Sequence, residues 1–126
     1  MGELGKRQAT ADAEKHEASV TENAEKIFNS PRGVVLGNRD GDVSFVEFFD
    51  YNCGYCKRAM ADMIELMKAD PKLKVVLKEF PVLSQGSVEA AQVAVAVRMQ
   101  DPAGKKYLDF HQKLLGGRGA ADGQPK

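Results

Sequence analysis

The sequence has no excess charge of either sign, almost no cysteine or histidine, and no long apolar run. Lys plus Arg and Asp plus Glu each number 18 in 126 residues, a formal net charge of +0. That balance argues against a chain built to grip nucleic acid or an anionic membrane surface. No apolar stretch approaches the roughly 20 residues that span a bilayer. The longest, residues 90–97, is interrupted by Gln92. Two cysteines cannot form the framework of a disulfide-dense scaffold. His16 lies in the polar arm, His111 on a late helix, and there is no second Cys pair, which disfavours an intramolecular zinc site with its roughly four ligands. The first eight residues lead into polar, alanine-rich sequence with no apolar signal core, so no secretory signal is read here. A mature exported chain would look the same. What remains is an ordinary globular composition, 43% hydrophobic and 29% charged, with length enough for one core.

The pattern along the chain alternates between helix and strand. Residues 8–28 are rich in Ala, Glu and Lys and contain no Gly or Pro, which predicts a helix. Val20, Ala24, Ile27 and Phe28 fall near one face, so only its last turns have much to bury. Its polar first half reads either as a solvated helix or as an arm that pairs with a copy of itself. Asn29-Ser30-Pro31 ends it. Val34-Val35-Leu36 is a short β-prone run, and the Gly/Asn/Asp-rich residues 37–42 mark a turn. Residues 43–51 are apolar and aromatic with little alternation, as expected of a central strand buried on both faces. After Cys56 the period becomes helical. Met60, Met63, Ile64 and Met67 share a face, read as core filler, and Asp70-Pro71 stops the helix. Leu73 to Phe80 is a further strand. A helix from the cap Ser87 to about Gln100 then buries Ala90, Val93, Ala94 and Val97. Asp101-Pro102 opens a last helix to Leu115, burying Tyr107, Phe110, Leu114 and Leu108. The strand–helix–strand unit implies an α/β fold with parallel strands. Residues 118–126, small and polar, are expected to be a disordered tail.

The two cysteines are three apart, Cys53-Gly54-Tyr55-Cys56, between the apolar strand and the amphipathic helix. Thiol exchange needs one ionised, reachable sulfur and a second thiol close enough to resolve the mixed disulfide. At a helix N-terminus, unpaired N–H groups and the dipole favour the thiolate of the first cysteine. Cys53 and Cys56 are therefore the candidate catalytic pair, Cys53 attacking and Cys56 resolving. No metal and no further cofactor is called for. Glu47 and Lys78 each interrupt an apolar strand and read either as a buried proton-relaying pair or as outward-facing strand residues. His111, four residues after Tyr107, reads as a helix-surface histidine, and Lys57 and Arg58 as a local positive field or solvated first-turn side chains.

The stretch Val46-Glu47-Phe48-Phe49-Asp50-Tyr51-Asn52-Cys53-Gly54-Tyr55-Cys56-Lys57-Arg58 resembles the DsbA-like thiol–disulfide oxidoreductases of the thioredoxin superfamily, of bacterial periplasmic type. The likeness continues through residues 78–83, 86–91 and 107–111. It implies a thioredoxin-like α/β fold with a helical insertion, incomplete at the C-terminus because the chain stops before the family's cis-proline strand. Domains are then an N-terminal helical arm, 1–30, a partial thioredoxin-like domain, 31–117, and the tail. The resemblance further implies protein thiol and disulfide substrates, a redox partner protein, an exported or periplasmic setting, and self-association through the arm. The activity would form, reduce or isomerise disulfides. A non-catalytic fragment or interaction module, and a cytosolic thioredoxin-like reductant, are the rival readings.

Overall fold

A computed structural model describes residues 2–117. The element order is α1 (Glu3–Glu22), α2 (Ala24–Phe28), β1 (Val34–Gly37), β2 (Val43–Phe49), α3 (Gly54–Ala69), β3 (Leu73–Glu79), α4 (Gln85–Gln100) and α5 (Lys105–Gly116). The expected tail, 118–126, lies outside the described residues. The chain divides into two units, Met1–Pro31 and Arg32–Lys126.

In the first unit the helix begins earlier than its composition suggests and is interrupted once. Asn23 terminates α1 and precedes α2, with its side-chain amide donating to the Ser19 carbonyl at 2.8 Å. A short polar side chain that can bond the preceding turn competes with helix continuation. No residue of α1 is buried, and Val20 is exposed, while Ala24, Ile27 and Phe28 are half-buried.

In the second unit the described strands form one sheet of order β1-β3-β2. β2 and β3 run parallel with Phe45 opposite Val75, Glu47 opposite Leu77 and Phe49 opposite Glu79, while β1 is antiparallel to β3. The strand expected to be central, β2, lies at the sheet edge among the described residues, and β3 takes the middle. Val75, Val76 and Leu77 are buried to within 1% of full exclusion, whereas Val43 is 56% and Phe45 42% exposed. An apolar run without alternation signals two-sided burial, but here both faces are covered over the middle strand, β3, and left open over the start of β2.

Side chains alternate across a strand, so Val34, Leu36, Phe49, Leu73, Val75 and Leu77 share one face. They form the core with Met63 of α3, Ala90 and Ala94 of α4, and Tyr107 and Leu115 of α5. Met60, Ile64 and Met67 pack against it, as the methionine stripe predicts. Three helix details differ from expectation. The N-cap of α4 is Ser84, whose hydroxyl accepts from the Ser87 N–H. Its buried stripe is Ser87, Ala90, Ala91 and Ala94, with Val93 exposed. And α5 starts after Gly104, held in the left-handed region at φ 87°. Asp101 still serves that helix, its carboxylate accepting from the N–H groups of Ala103 and Lys106. Gly37 also has positive φ, and a Cβ there would lie 2.6 Å from the Leu73 carbonyl oxygen, so the turn out of β1 requires glycine. No helix of the described residues is long and apolar enough to cross a membrane.

The exchange of roles between β2 and β3 is measurable. Leu77→Ala should cost about 2–5 kcal/mol, whereas Val43→Ala at the exposed edge should stay within about 0.5 kcal/mol. Urea unfolding of the two variants checks this, and equal losses would contradict the arrangement.

Candidate active site

β2 delivers the chain into a tight turn that carries the first cysteine. The Cys53 N–H donates to the Asp50 carbonyl at 3.0 Å, and Cys53 itself is the N-cap of α3 in extended conformation. Its sulfur accepts from the Cys56 N–H at 3.3 Å, so the thiol replaces the hydroxyl or carboxylate that usually caps a helix. Both cysteines are free and half-buried. The Cys56 thiol and N–H, acting on the Cys53 sulfur, hold its pKa below the ordinary thiol range, with the Tyr55 N–H adding to the effect. Burial pushes the Cys56 thiol the other way, up to about 11, reinforced by its hydrogen bond with Cys53. The two cysteines, three residues apart, are thus shifted in opposite directions, Cys53 by the Cys56 thiol and the amides of the first helical turn, Cys56 by burial.

Asp50 anchors the turn. One carboxylate oxygen accepts from the Asn52 N–H at 2.8 Å and the Ser87 hydroxyl at 2.7 Å. The other accepts from the N–H groups of Val82 and Leu83 at 3.0 and 2.9 Å. Burial raises the pKa of this carboxyl, but the Ser87 hydroxyl and the three amides outweigh it and leave it lowered. The Asn52 side-chain amide extends the set, donating to Ser87 Oγ at 2.9 Å and Ser84 Oγ at 3.3 Å. The Phe80 N–H donates to the Phe49 carbonyl, joining the ends of β2 and β3 beside the cysteines.

Below the turn lies a second polar cluster. Tyr107 and Tyr51 donate to one oxygen of Glu79 at 2.6 and 3.4 Å, and His111 Nδ1 lies 3.2 Å from the Tyr51 hydroxyl. The imidazole stacks on Tyr107 and meets Phe49 edge-on. Burial raises Glu79 to about 7 and lowers His111 to about 4. Tyr51 and Tyr107 are raised, chiefly by burial.

Several sequence expectations are corrected here. His111 is only 1% exposed, because α5 turns its Tyr107–His111–Leu115 stripe onto the sheet. Glu47 and Lys78 stand on neighbouring strands but not as a pair. Glu47 is opposite Leu77 and Lys78 opposite Phe48, so their side chains leave opposite faces. The Lys78 ammonium lies 5.7 Å from the centre of the Phe48 ring. Glu47, raised by burial, is on the core side and contributes to the raised Cys56 pKa. Arg58 stacks its guanidinium on Tyr55, 4.6 Å from the ring centre. His16 lies in α1. Asp50, Ser84 and Glu79 were not singled out from the sequence, and Ser87 only as a helix cap. A signal for Asp50 existed, an Asx-turn residue where a strand ends. None marked the partners it meets more than thirty residues away.

The thioredoxin family model matches residues 29–123. The chain belongs to the thioredoxin family. Disulfide bond formation protein D of Bacillus subtilis (strain 168) is 36% identical over 87 residues, 64% of this chain and 37% of that protein. The crystal structure of a thioredoxin-like oxidoreductase from Silicibacter pomeroyi DSS-3 is 49% identical with a TM-score of 0.72, covering 78% of this chain and 54% of that one. The thiol-disulfide exchange protein α-DsbA2 from Wolbachia pipientis is 31% identical with a TM-score of 0.78, covering 87% and 57%. Within the thioredoxin family the likeness is thus to DsbA-like thiol–disulfide oxidoreductases. This chain spans between about a third and just over half of the length of these relatives.

The buried cluster has a pH signature. Glu79 is raised from 4.5 to about 7, so its contribution to stability is complete below pH 4.5 and is lost as pH rises through 7. His111, lowered from 6.5 to about 4, acts in the opposite sense, and its share of stability is lost as pH falls from 6.5 towards 4. Between pH 4.5 and 6.5 the two oppose each other. Glu79→Gln should leave the His111 slope alone, so that stability climbs more steeply with pH in this window than in the unmodified chain. Urea unfolding across the range measures it, and superimposable profiles would refute the assignment.

Proposed function

We propose that this chain exchanges thiols and disulfides in proteins, with Cys53 as the attacking and Cys56 as the resolving thiol. The observation that carries the proposal is the sulfur cap, with Cys53 holding the N-terminus of α3 while Cys56 is kept protonated by burial. The Cys53 thiolate attacks one sulfur of a substrate disulfide, an S–S bond forms, and the other substrate sulfur leaves as a thiolate. Cys56 then loses its proton and attacks the Cys53 sulfur. This releases the second substrate thiolate and leaves a Cys53–Cys56 disulfide, so two electrons have passed to the substrate. Run in reverse, the same steps oxidise a dithiol, and stopping at the mixed disulfide permits isomerisation. Glu47, on the core side of the sheet with Cys56, is the proposed acceptor of the Cys56 proton.

The names of the relatives support the reading, since they include a thiol-disulfide exchange protein and a disulfide bond formation protein. The substrates proposed are protein thiols and disulfides, and a second protein is needed to reset the pair after each turnover. An exported setting fits the resemblance to periplasmic oxidoreductases, because disulfides persist in oxidising compartments. Residues 1–30 are proposed as an assembly arm, since α1 leaves every side chain uncovered.

Cys53→Ser should reduce insulin disulfide reduction to the buffer background. Cys56→Ser should accumulate a single glutathione adduct on Cys53, detected by mass. In the unmodified protein Cys53 should alkylate with a midpoint below the roughly 8.5 of a free thiol, and Cys56 far above it. A redox couple without turnover would support the reading as a non-catalytic interaction module instead. Glu47→Gln should slow release of the mixed disulfide and alter its pH dependence; rates unchanged across pH would remove Glu47 from the mechanism.

A further inference from the structure

The turn that carries Cys53 is held from outside by a group with no part in the exchange chemistry. Asp50 is 5% exposed, and its carboxylate is shared among four neutral donors from three segments: its own turn, the loop after β3, and the first turn of α4. The fourth donor, Ser87, is fully buried, and its Oγ and that of Ser84 are bonded in turn by the Asn52 side chain, one residue before Cys53. Asn52 is therefore gripped twice, by its backbone N–H on Asp50 and by its amide on the two serines. The Asp50 carbonyl also receives the Cys53 N–H.

We propose that Asp50 is a positioning residue for the Cys53 sulfur, its carboxylate locking the Cys53 turn onto the 80–83 loop and the N-terminus of α4. The assignment rests on the exchange reading above and deepens it. The alternative role for a carboxylate here is electrostatic, and its sign is wrong. The Asp50 charge works against a thiolate at Cys53, so electrostatics alone would favour a neutral residue. A buried charge that opposes the thiolate remains useful only through the geometry it enforces. Four hydrogen bonds to a charged acceptor, stronger than bonds between neutral groups, define the turn. What they preserve is the placement of Cys53 Sγ against the Cys56 N–H. The same bonds turn the Val82 and Leu83 amides towards Asp50, and the two side chains are exposed.

The two roles predict opposite shifts, so a single substitution separates them. Asp50→Asn keeps shape, removes the charge and places an NH2 group against amide donors. If Asp50 positions the turn, the Cys53 alkylation midpoint rises by about one pH unit, which means about tenfold slower alkylation at mildly acid pH, and disulfide exchange slows in parallel. If only the charge matters, the midpoint falls. A fall, or an unchanged midpoint in a folded variant, overturns the proposal. Ser87→Ala is the second variant, for use if Asp50→Asn fails to fold. It keeps the Asp50 charge and deletes one anchor, and it should move the midpoint upward by a smaller amount; an unchanged midpoint in folded Ser87→Ala overturns the proposal equally. Alkylation reads thiol acidity whether or not substrates turn over. An inactive parent chain would therefore sink the exchange reading alone, and parent-like acidity in the variants would sink only the role given to Asp50.

Discussion

Where α3 starts decides what the cysteines are. A helix exposes four N–H groups at its beginning, and here the residue that meets them is a cysteine in the last extended position before the helix. Had α3 begun one turn earlier, both sulfurs would lie within helical backbone and neither would face free amides. The start is fixed by the sheet below it: β2 ends at Phe49, Asp50 closes the turn, and Cys53 has a single place to go. Local sequence, strand pairing and the buried carboxylate all converge on the same few ångströms.

The interior beneath this turn carries a hydrogen-bonded polar cluster. Glu79, Tyr51, Tyr107 and His111 come from β3, the turn after β2, and α5, so the cluster ties the last helix to the sheet where apolar packing alone would leave orientation loose. Among the described residues no buried side-chain nitrogen or oxygen lacks a partner. That completeness matters, because an unsatisfied member in such surroundings costs about 1–3 kcal/mol. The tyrosines, raised by burial, stay protonated and act as fixed donors, leaving Glu79 and His111 as the groups whose protonation adjusts.

Much of this was legible from local pattern. The Cys-x-x-C between an apolar strand and an amphipathic helix located the candidate site, and the Met60–Met63–Met67 spacing located a core face. The readings that failed depended on partners distant in sequence. An apolar run does not say which of two strands is hydrogen-bonded on both edges, so β2 was given the place of β3. His111 looked like a surface residue because its stacking partner and its cover, Tyr107 and Phe49, mean nothing until α5 is laid on the sheet. Whether Glu47 pairs with Lys78 or the two face apart, which the sequence left open, is settled by register, since a one-residue offset sends side chains to opposite faces. The Asp50 anchor joins positions 50, 82, 83 and 87, a contact set that no local pattern contains.

The sulfur cap also bears on redox poise. The hydrogen bond from the Cys56 amide to Cys53 Sγ, together with the dipole of α3, favours negative charge on that sulfur. Once that sulfur is bonded to a second one, the charge is gone and so is most of the attraction. The dithiol form is therefore favoured relative to the disulfide by the same contacts that acidify Cys53. In the exchange proposed above, this would tilt the couple towards accepting electrons, so the contacts that acidify Cys53 would also make its disulfide the more oxidising one.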